Sequence, residues 1–164
     1  IEGDFFGTAG NQRFSNSDLL RIRQAYGQIG PLLAGQTQST FMDADSSPDM
    51  IDNFGPAGDS NIRQTQIRYT YQRTAAFGLD GAIENPDAAA QTPAGAQNAN
   101  HIDKLPDFVA RLRYKDSWGA INFSGVLRRF NFDNGAGSQD SAWGGGGHVG
   151  ATVIGIASAA SPLP

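Results

Sequence analysis

The stretch from Asp18 to Phe41, D-L-L-R-I-R-Q-A-Y-G-Q-I-G-P-L-L-A-G-Q-T-Q-S-T-F, decides how this chain folds. Its first half places apolar residues at a spacing of two with arginines between them: Leu20, Ile22 and Tyr26 against Arg21 and Arg23. This alternation predicts a strand with one apolar face and one basic face, because successive side chains of a strand point to opposite sides. A helix would need a different spacing.

The second half of the stretch predicts a partner strand. Gly30-Pro31 interrupts the run, and the alternation then resumes with Leu33 and Phe41 against Gln36 and Gln38. Two alternating runs around a short Gly-Pro break are typical of an antiparallel hairpin.

The position of the arginines raises the question of which face meets water. In a soluble sheet the polar face is the solvated outside, and arginine there is ordinary surface. In a membrane barrel lipid covers the apolar outside, and the polar face lines the lumen.

The composition narrows the classes of protein. The apolar fraction of 39% is low for a packed soluble core, and 21 glycines with 10% aromatic residues favour strands and loops over helices. No cysteine is present, so a disulfide frame and a thiolate metal site are both excluded. The net charge of −4 argues against a nucleic-acid partner.

The same alternation recurs along the chain and predicts about eight strands. Their expected bounds are Ile1 to Gly7, Leu19 to Gln28, Leu32 to Thr40, Ile62 to Gln72, Ala75 to Glu84, Phe108 to Tyr114, Trp118 to Phe130 and His148 to Ser158. Several are near the roughly 10 residues that a tilted barrel strand needs to cross a bilayer.

The connections between these strands alternate in length. Long ones are expected at Thr8 to Asp18, Phe41 to Asn61, Asn85 to Asp107 and Asn131 to Gly147. Short ones are expected at Ile29 to Pro31, Arg73 to Thr74 and Lys115 to Ser117. Short turns on one side and long loops on the other are typical of outer-membrane barrels. The chain begins inside a strand pattern, so we expect it to be part of a longer protein.

Several segments resemble a known family. These are I-E-G-D-F-F-G (1–7), L-R-I-R-Q-A-Y-G (20–27), L-L-A-G-Q-T-Q-S-T-F-M-D (32–43), I-R-Q-T-Q-I-R-Y (62–69), A-I-E-N-P (82–86) and P-D-F-V-A-R-L-R-Y (106–114). Over residues 1 to 130 the chain resembles the DcaP-like porins of Gram-negative outer membranes, and more distantly the phosphate-selective porins O and P. Residues 131 to 164 carry little of the likeness.

The resemblance implies an all-β antiparallel transmembrane barrel of sixteen strands, of which residues 1–164 form a part. It also implies a homotrimer in the Gram-negative outer membrane, in contact with lipid and lipopolysaccharide, that passes small anionic solutes such as dicarboxylates by passive diffusion. It further implies two strands before Ile1, which makes Phe41 to Asn61 the third external loop. In porins of this kind that loop narrows the lumen.

The arginines are the candidate binding residues. An arginine keeps its charge at any working pH and can hold a carboxylate through two parallel hydrogen bonds. A lumen lined with arginine would therefore attract small anions. The candidate ladder consists of Arg21, Arg23, Arg68, Arg111, Arg113 and Arg128. The alternative is that some of them only form structural bridges to Glu2, Asp4, Asp80 or Glu84.

The candidate constriction loop contains a run of acids: Asp43, Asp45, Asp49 and Asp52. The alternating oxygens suggest a calcium loop, but Pro48 stands where the turn glycine belongs and Phe54 where the bidentate glutamate belongs. We therefore predict no metal and no cofactor. We expect the acids to be solvated or to face the arginines across the lumen.

An enzyme is not predicted. His101 and His148 are expected in or beside loops, and Gly144 to Gly147 lacks the lysine and hydroxyl residue of a phosphate-binding loop. Two other functions stay open on the residues alone. One is a soluble all-β carbohydrate-binding or adhesion domain, and the other is a small barrel that anchors a larger protein and conducts nothing.

Overall fold

The computed structural model describes residues 1–7, 19–43, 62–86, 104–133 and 139–153. Its strands are β1 (Glu2–Gly7), β2 (Leu19–Ile29), β3 (Leu32–Gln38), β4 (Arg63–Gln72), β5 (Phe77–Glu84), β6 (Asp107–Asp116), β7 (Gly119–Asp133) and β8 (Gln139–Val153). They form one open eight-stranded sheet in sequence order, and every neighbouring pair is antiparallel. The predicted all-β antiparallel architecture is confirmed. The described residues contain no helix that could span a bilayer.

The short connections lie where the sequence predicts them. Gly30 and Pro31 join β2 to β3, and Gly30 adopts a φ of 56°, which is accessible to glycine at little steric cost. Residues 73–76 join β4 to β5, where the hydroxyl of Thr74 accepts a hydrogen bond from the amide of Phe77 at 3.0 Å. Ser117 and Trp118 join β6 to β7. All three turns lie at one end of the sheet because the strands alternate in direction.

A register shift in the β1–β2 pair sets the direction of several β2 side chains. Glu2 lies opposite Gln24, whereas Gly3 lies opposite Ile22, so one extra residue of β2 is accommodated at Arg23. After this bulge, the β2 residues point to the opposite face from the one that a regular alternation would give. Tyr26, predicted to share a face with Leu20 and Ile22, instead lies opposite Gly35 in the polar row of β3.

The last strand differs most from the prediction. It begins at Gln139 rather than His148, and it includes the four glycines Gly144–Gly147 that the sequence placed in a loop. Glycine weakens a strand by itself, but here β7 supplies a complete partner from Gly119 to Asp133. A side chain at Gly144 would come within 2.6 Å of the ring of Phe130, so the absent side chain leaves space for that ring.

One face of the sheet is apolar and exposed. It carries large side chains from seven strands, namely Leu20, Ile22, Leu32, Ile67, Tyr69, Leu79, Ile83, Phe108, Tyr114, Phe123, Leu127, Trp143 and Val149. A continuous exposed apolar face of this kind is expected where lipid is the solvent.

The other face is polar and largely buried. Among the described residues only Leu33, Met42, Ala82 and Val109 are buried apolar side chains. The buried polar set is larger and consists of Thr37, Ser39, Thr40, Gln64, Gln66, Asp80, Glu84, Asp107, Asn122, Ser124 and Asn131. This arrangement is the reverse of a soluble sandwich, in which the apolar faces pack together.

Candidate functional site

The polar face carries a group of arginines around Asp80, whose side chain is only 1% exposed. Asp80 accepts hydrogen bonds from Nε of Arg111 and Nε of Arg113, each at 2.9 Å, and from the hydroxyl of Thr70 at 2.7 Å. β5 and β6 bring these residues together because Asp80 lies directly opposite Arg111. One buried carboxylate therefore fixes two guanidinium groups, and the Arg113 side chain is 41% exposed.

A second carboxylate fixes Arg128 in the same way. Nε of Arg128 lies 2.8 Å and 2.9 Å from the two oxygens of Asp107, and its terminal nitrogen also contacts that carboxylate. Asp107 is 5% exposed and Arg128 22% exposed, so the acid lies beneath the base. This is a bidentate pair in a partly buried setting, where such pairs have the best geometry.

The arginines of β2 are paired at the edge of the sheet. Arg21 binds both oxygens of Asp4, at 3.0 Å and 2.6 Å. Arg23 approaches Glu2 at 3.3 Å and Asp4 at 3.6 Å. These pairs are more exposed than those of Asp80 and Asp107, so they contribute less to stability.

Arg68 differs from the other five arginines of the predicted ladder. It makes no ion pair and no hydrogen bond within the described part of the chain, and its Nε is buried without a partner. It lines a cavity of about 220 Å³ on the polar face. The lining residues, here called the Arg68 cavity, are Thr37, Gln38, Ser39, Met42, Asp43, Arg68, Arg111 and Arg113.

The segment 39–43, here called the loop stem, turns from the end of β3 onto this face. Glu84 of β5 accepts hydrogen bonds from the hydroxyl of Ser39 at 2.5 Å and from the amide of Thr40 at 2.6 Å. Thr40, fully buried, also bonds Gln66 of β4 at 2.9 Å. The loop stem is therefore held by a charged, buried acceptor, which is a strong anchor.

Further contacts extend the loop stem across the sheet. The carbonyl oxygen of Met42 accepts from Arg111 at 3.1 Å, and that of Phe41 accepts from the hydroxyl of Ser124 at 2.6 Å. The ring of Phe41 lies 5.9 Å from the ring of His148 in β8. The stem thus contacts strands from β4 to β8, and it forms one wall of the Arg68 cavity.

The predicted loop acids are only partly described. Asp43 lines the Arg68 cavity. Asp45, Asp49 and Asp52 lie outside the described residues, as does most of the candidate constriction loop 41–61.

The structure corrects the position of His148. It lies in β8 directly opposite Ser124, rather than in or beside a loop. The pair does not form a nucleophile and base, because the hydroxyl of Ser124 donates to the Phe41 carbonyl and Nδ1 of His148 is buried without a hydrogen bond.

Sequence reasoning missed the anchoring roles of Glu84, Asp107 and Ser124. Glu84 and Ser124 lie on the polar face of predicted strands, and that alternation marks them as inward. The sequence predicts Asp107 at the end of a long connection, whereas the structure places it as the first residue of β6. Their partners come from other strands, so the pairing depends on the register between strands, which one strand alone does not reveal.

Comparison with known proteins gives two matches. The family model for DcaP outer membrane proteins matches residues 1–153. Among solved structures, the chain is similar to the crystal structure of the outer membrane channel DcaP of Acinetobacter baumannii, with a TM-score of 0.75 and 27% identity. The match covers 92% of this chain and 41% of that channel, so the chain spans less than half of its length. No curated protein matches.

Proposed function

This chain belongs to the DcaP outer membrane protein family, and we propose that it forms an arginine-lined part of a pore wall selective for small anions, dicarboxylates in particular. The family and the matched structure are those of an outer-membrane channel and not of an enzyme class. The protein is thus an outer-membrane porin of Gram-negative bacteria. The soluble adhesion domain is not supported, because the large apolar side chains are exposed on one face.

The observation that carries the proposal is the depth of the charges on the polar face. Asp80, Glu84 and Asp107 are at most 5% exposed, whereas Arg113 is 41% exposed and Arg68 half-buried. Around Asp80 and Asp107, a solute in the lumen would therefore meet guanidinium groups before it meets carboxylates. In a narrow lumen with low-dielectric walls, this layering favours anions.

Arg68 is the proposed first contact for a carboxylate. Its guanidinium group has no carboxylate partner among the described residues, so a solute carboxylate can bind without displacing one. Arg113 lines the same cavity and offers a second cation for a solute with two carboxylates. Asp43 on the same wall opposes tight binding. Weak binding suits passive diffusion, because a solute must also leave.

The remaining features of the pore follow from the family as proposals. We propose that this chain forms part of a sixteen-stranded barrel and that the barrel assembles as a homotrimer. We also propose that the loop beginning with the stem narrows the lumen. The anchoring of the stem by Glu84 and Ser124 on the polar face supports this placement.

Single-channel recording with succinate tests the role of Arg68. The full-length parent protein is inserted in a planar bilayer, and succinate is titrated while current interruptions are counted. Arg68→Gln removes one charge-assisted contact of roughly 1.5–3 kcal/mol. We therefore expect the dissociation constant for succinate to rise about tenfold or more.

Arg73→Gln is the matched control, because Arg73 is exposed at a short turn and lies outside the cavity. It should leave succinate binding unchanged. Equal binding by the Arg68→Gln variant and the unmodified protein would contradict the assigned role.

A further inference from the structure

Two cavities involve β6, β7 and β8: one lies at the long-loop end of these strands, and the other crosses the apolar face nearer the middle of β7 and β8. The first, here called the rim cavity, has a volume of about 390 Å³. It is lined by Lys104, Leu105, Arg129, Asn131, Asp140 and Ser141. The second, here called the outer groove, has a volume of about 900 Å³ and is lined mainly by apolar and small residues.

Arg129 belongs to the lipid-facing side of the sheet rather than to the lumen. It follows Leu127 by two positions and lies opposite Trp143, and both of those side chains are exposed on the apolar face. Its guanidinium carbon is 5.8 Å from the centre of the Trp143 ring, and one nitrogen donates to the hydroxyl of Ser141 at 3.1 Å. An arginine beside a tryptophan at this level is typical of a membrane interface.

The charge of Arg129 is not neutralised by a carboxylate. No ion pair involves it within the described residues. Asp140 borders the cavity, but its Oδ1 accepts from the amide of Ser141 at 2.8 Å. Lys104, which is exposed, also lines this cavity. The rim cavity therefore favours an anionic group.

The outer groove begins one step from Arg129 toward the centre of the sheet. The next pairs along β7 and β8 are Leu127 with Gly145 and Gly125 with Gly147. Gly125 lies opposite Ala110, which in turn lies opposite Gly81. This row of small residues crosses four strands between larger neighbours such as Leu127 and Phe108, so it leaves a channel for an apolar chain.

We propose that the rim cavity and the outer groove together bind a phosphorylated glycolipid of the outer leaflet. Its phosphate contacts Arg129 and Lys104, and one acyl chain lies in the outer groove. An arginine fork matches a phosphate in geometry and charge. A cationic site at the external boundary with an apolar groove directly beneath fits an amphiphile with an anionic head. The proposal is independent of the solute that the pore passes.

Lipid titration of the full-length protein tests this site. The protein in detergent is mixed with bisphosphorylated lipid A, and the bound lipid is counted by native mass spectrometry. Arg129→Gln should weaken binding at least about tenfold through loss of a charged contact. The Arg73→Gln variant, which removes the same charge at the opposite end, should bind as the unmodified protein does.

A second variant tests the groove. Gly147→Leu fills the groove at a position where an added Cβ makes only ordinary contact, 3.8 Å from the Ser124 carbonyl oxygen. It should lower the affinity for lipid A. The control is Gly27→Leu in β2, on the same face of the sheet, where an added Cβ would meet no atom within 4 Å; this variant should bind lipid A as the unmodified protein does. Full affinity of both Arg129→Gln and Gly147→Leu would overturn the proposal. So would equal binding of dephosphorylated lipid A, or a change of oligomeric state in Gly147→Leu without loss of lipid, which would assign the groove to a subunit contact.

Discussion

Asp80 is the residue on which two of the arginines depend. It is almost completely buried, and it holds Arg111, Arg113 and Thr70 by hydrogen bonds. A buried carboxylate with several donors is costly to remove, because the remaining charges then lack a partner in a poorly solvated place. At the same time Asp80 cancels positive charge that the lumen would otherwise present.

Asp80→Asn separates these two roles. We expect the folded protein to lose about 3–5 kcal/mol of unfolding free energy, because two guanidinium groups are left unpaired. We also expect the surviving channels to prefer chloride over potassium more strongly, because net positive charge is gained. Denaturant unfolding and reversal potentials measure the two effects. Asp116→Asn, at an exposed turn, is the control. A variant as stable as the parent would show that Asp80 does not organise the arginines.

Hydrogen bonds to β5 and β7 hold the loop stem over the polar face. Glu84 anchors the stem through Ser39 and Thr40, and Ser124 anchors it from β7. Because further anchors come from Gln66 in β4 and Arg111 in β6, the loss of one bond should loosen the stem locally without releasing it from the face. The Arg68 cavity depends on this placement, since Ser39, Met42 and Asp43 line it.

Glu84→Gln should loosen the stem without unfolding the sheet. Glutamine keeps one neutral acceptor oxygen, so one of the two bonds loses its acceptor and the other is no longer charge-assisted, at a cost of about 1.5–3 kcal/mol. Hydrogen exchange of the Thr40 amide should become roughly tenfold faster or more. Glu2→Gln at the edge of the sheet should leave this amide unchanged. Unaltered exchange in Glu84→Gln would mean that other contacts hold the stem.

The strands also show how far sequence reasoning reaches. Alternation located β4, β5 and β6 to within about two residues, because each has apolar residues on one face and polar residues on the other. It failed for Gly144–Gly147, because four glycines carry no alternation and become a strand only through pairing with β7. It identified the arginines, but it could not assign Arg68 as unpaired, since pairing depends on the register of neighbouring strands.

At the scale of the whole molecule, the two faces of the sheet suit two different environments, lipid on one side and water on the other. The apolar face is exposed to lipid, and the polar face carries arginines above buried acids. The sheet described here is open and corresponds to 41% of the matched channel. Its charge layering is therefore a property of one part of the wall, and the selectivity of the complete pore is the sum over all parts.

The reversal potential of the full-length protein in a planar bilayer under a potassium chloride gradient tests the central claim most directly. An arginine-lined lumen predicts a potential displaced toward the chloride equilibrium value, with a displacement that shrinks as salt concentration rises and screening increases. A potential displaced toward the potassium value, or one at zero across all salt concentrations, would contradict the proposed selectivity for anions.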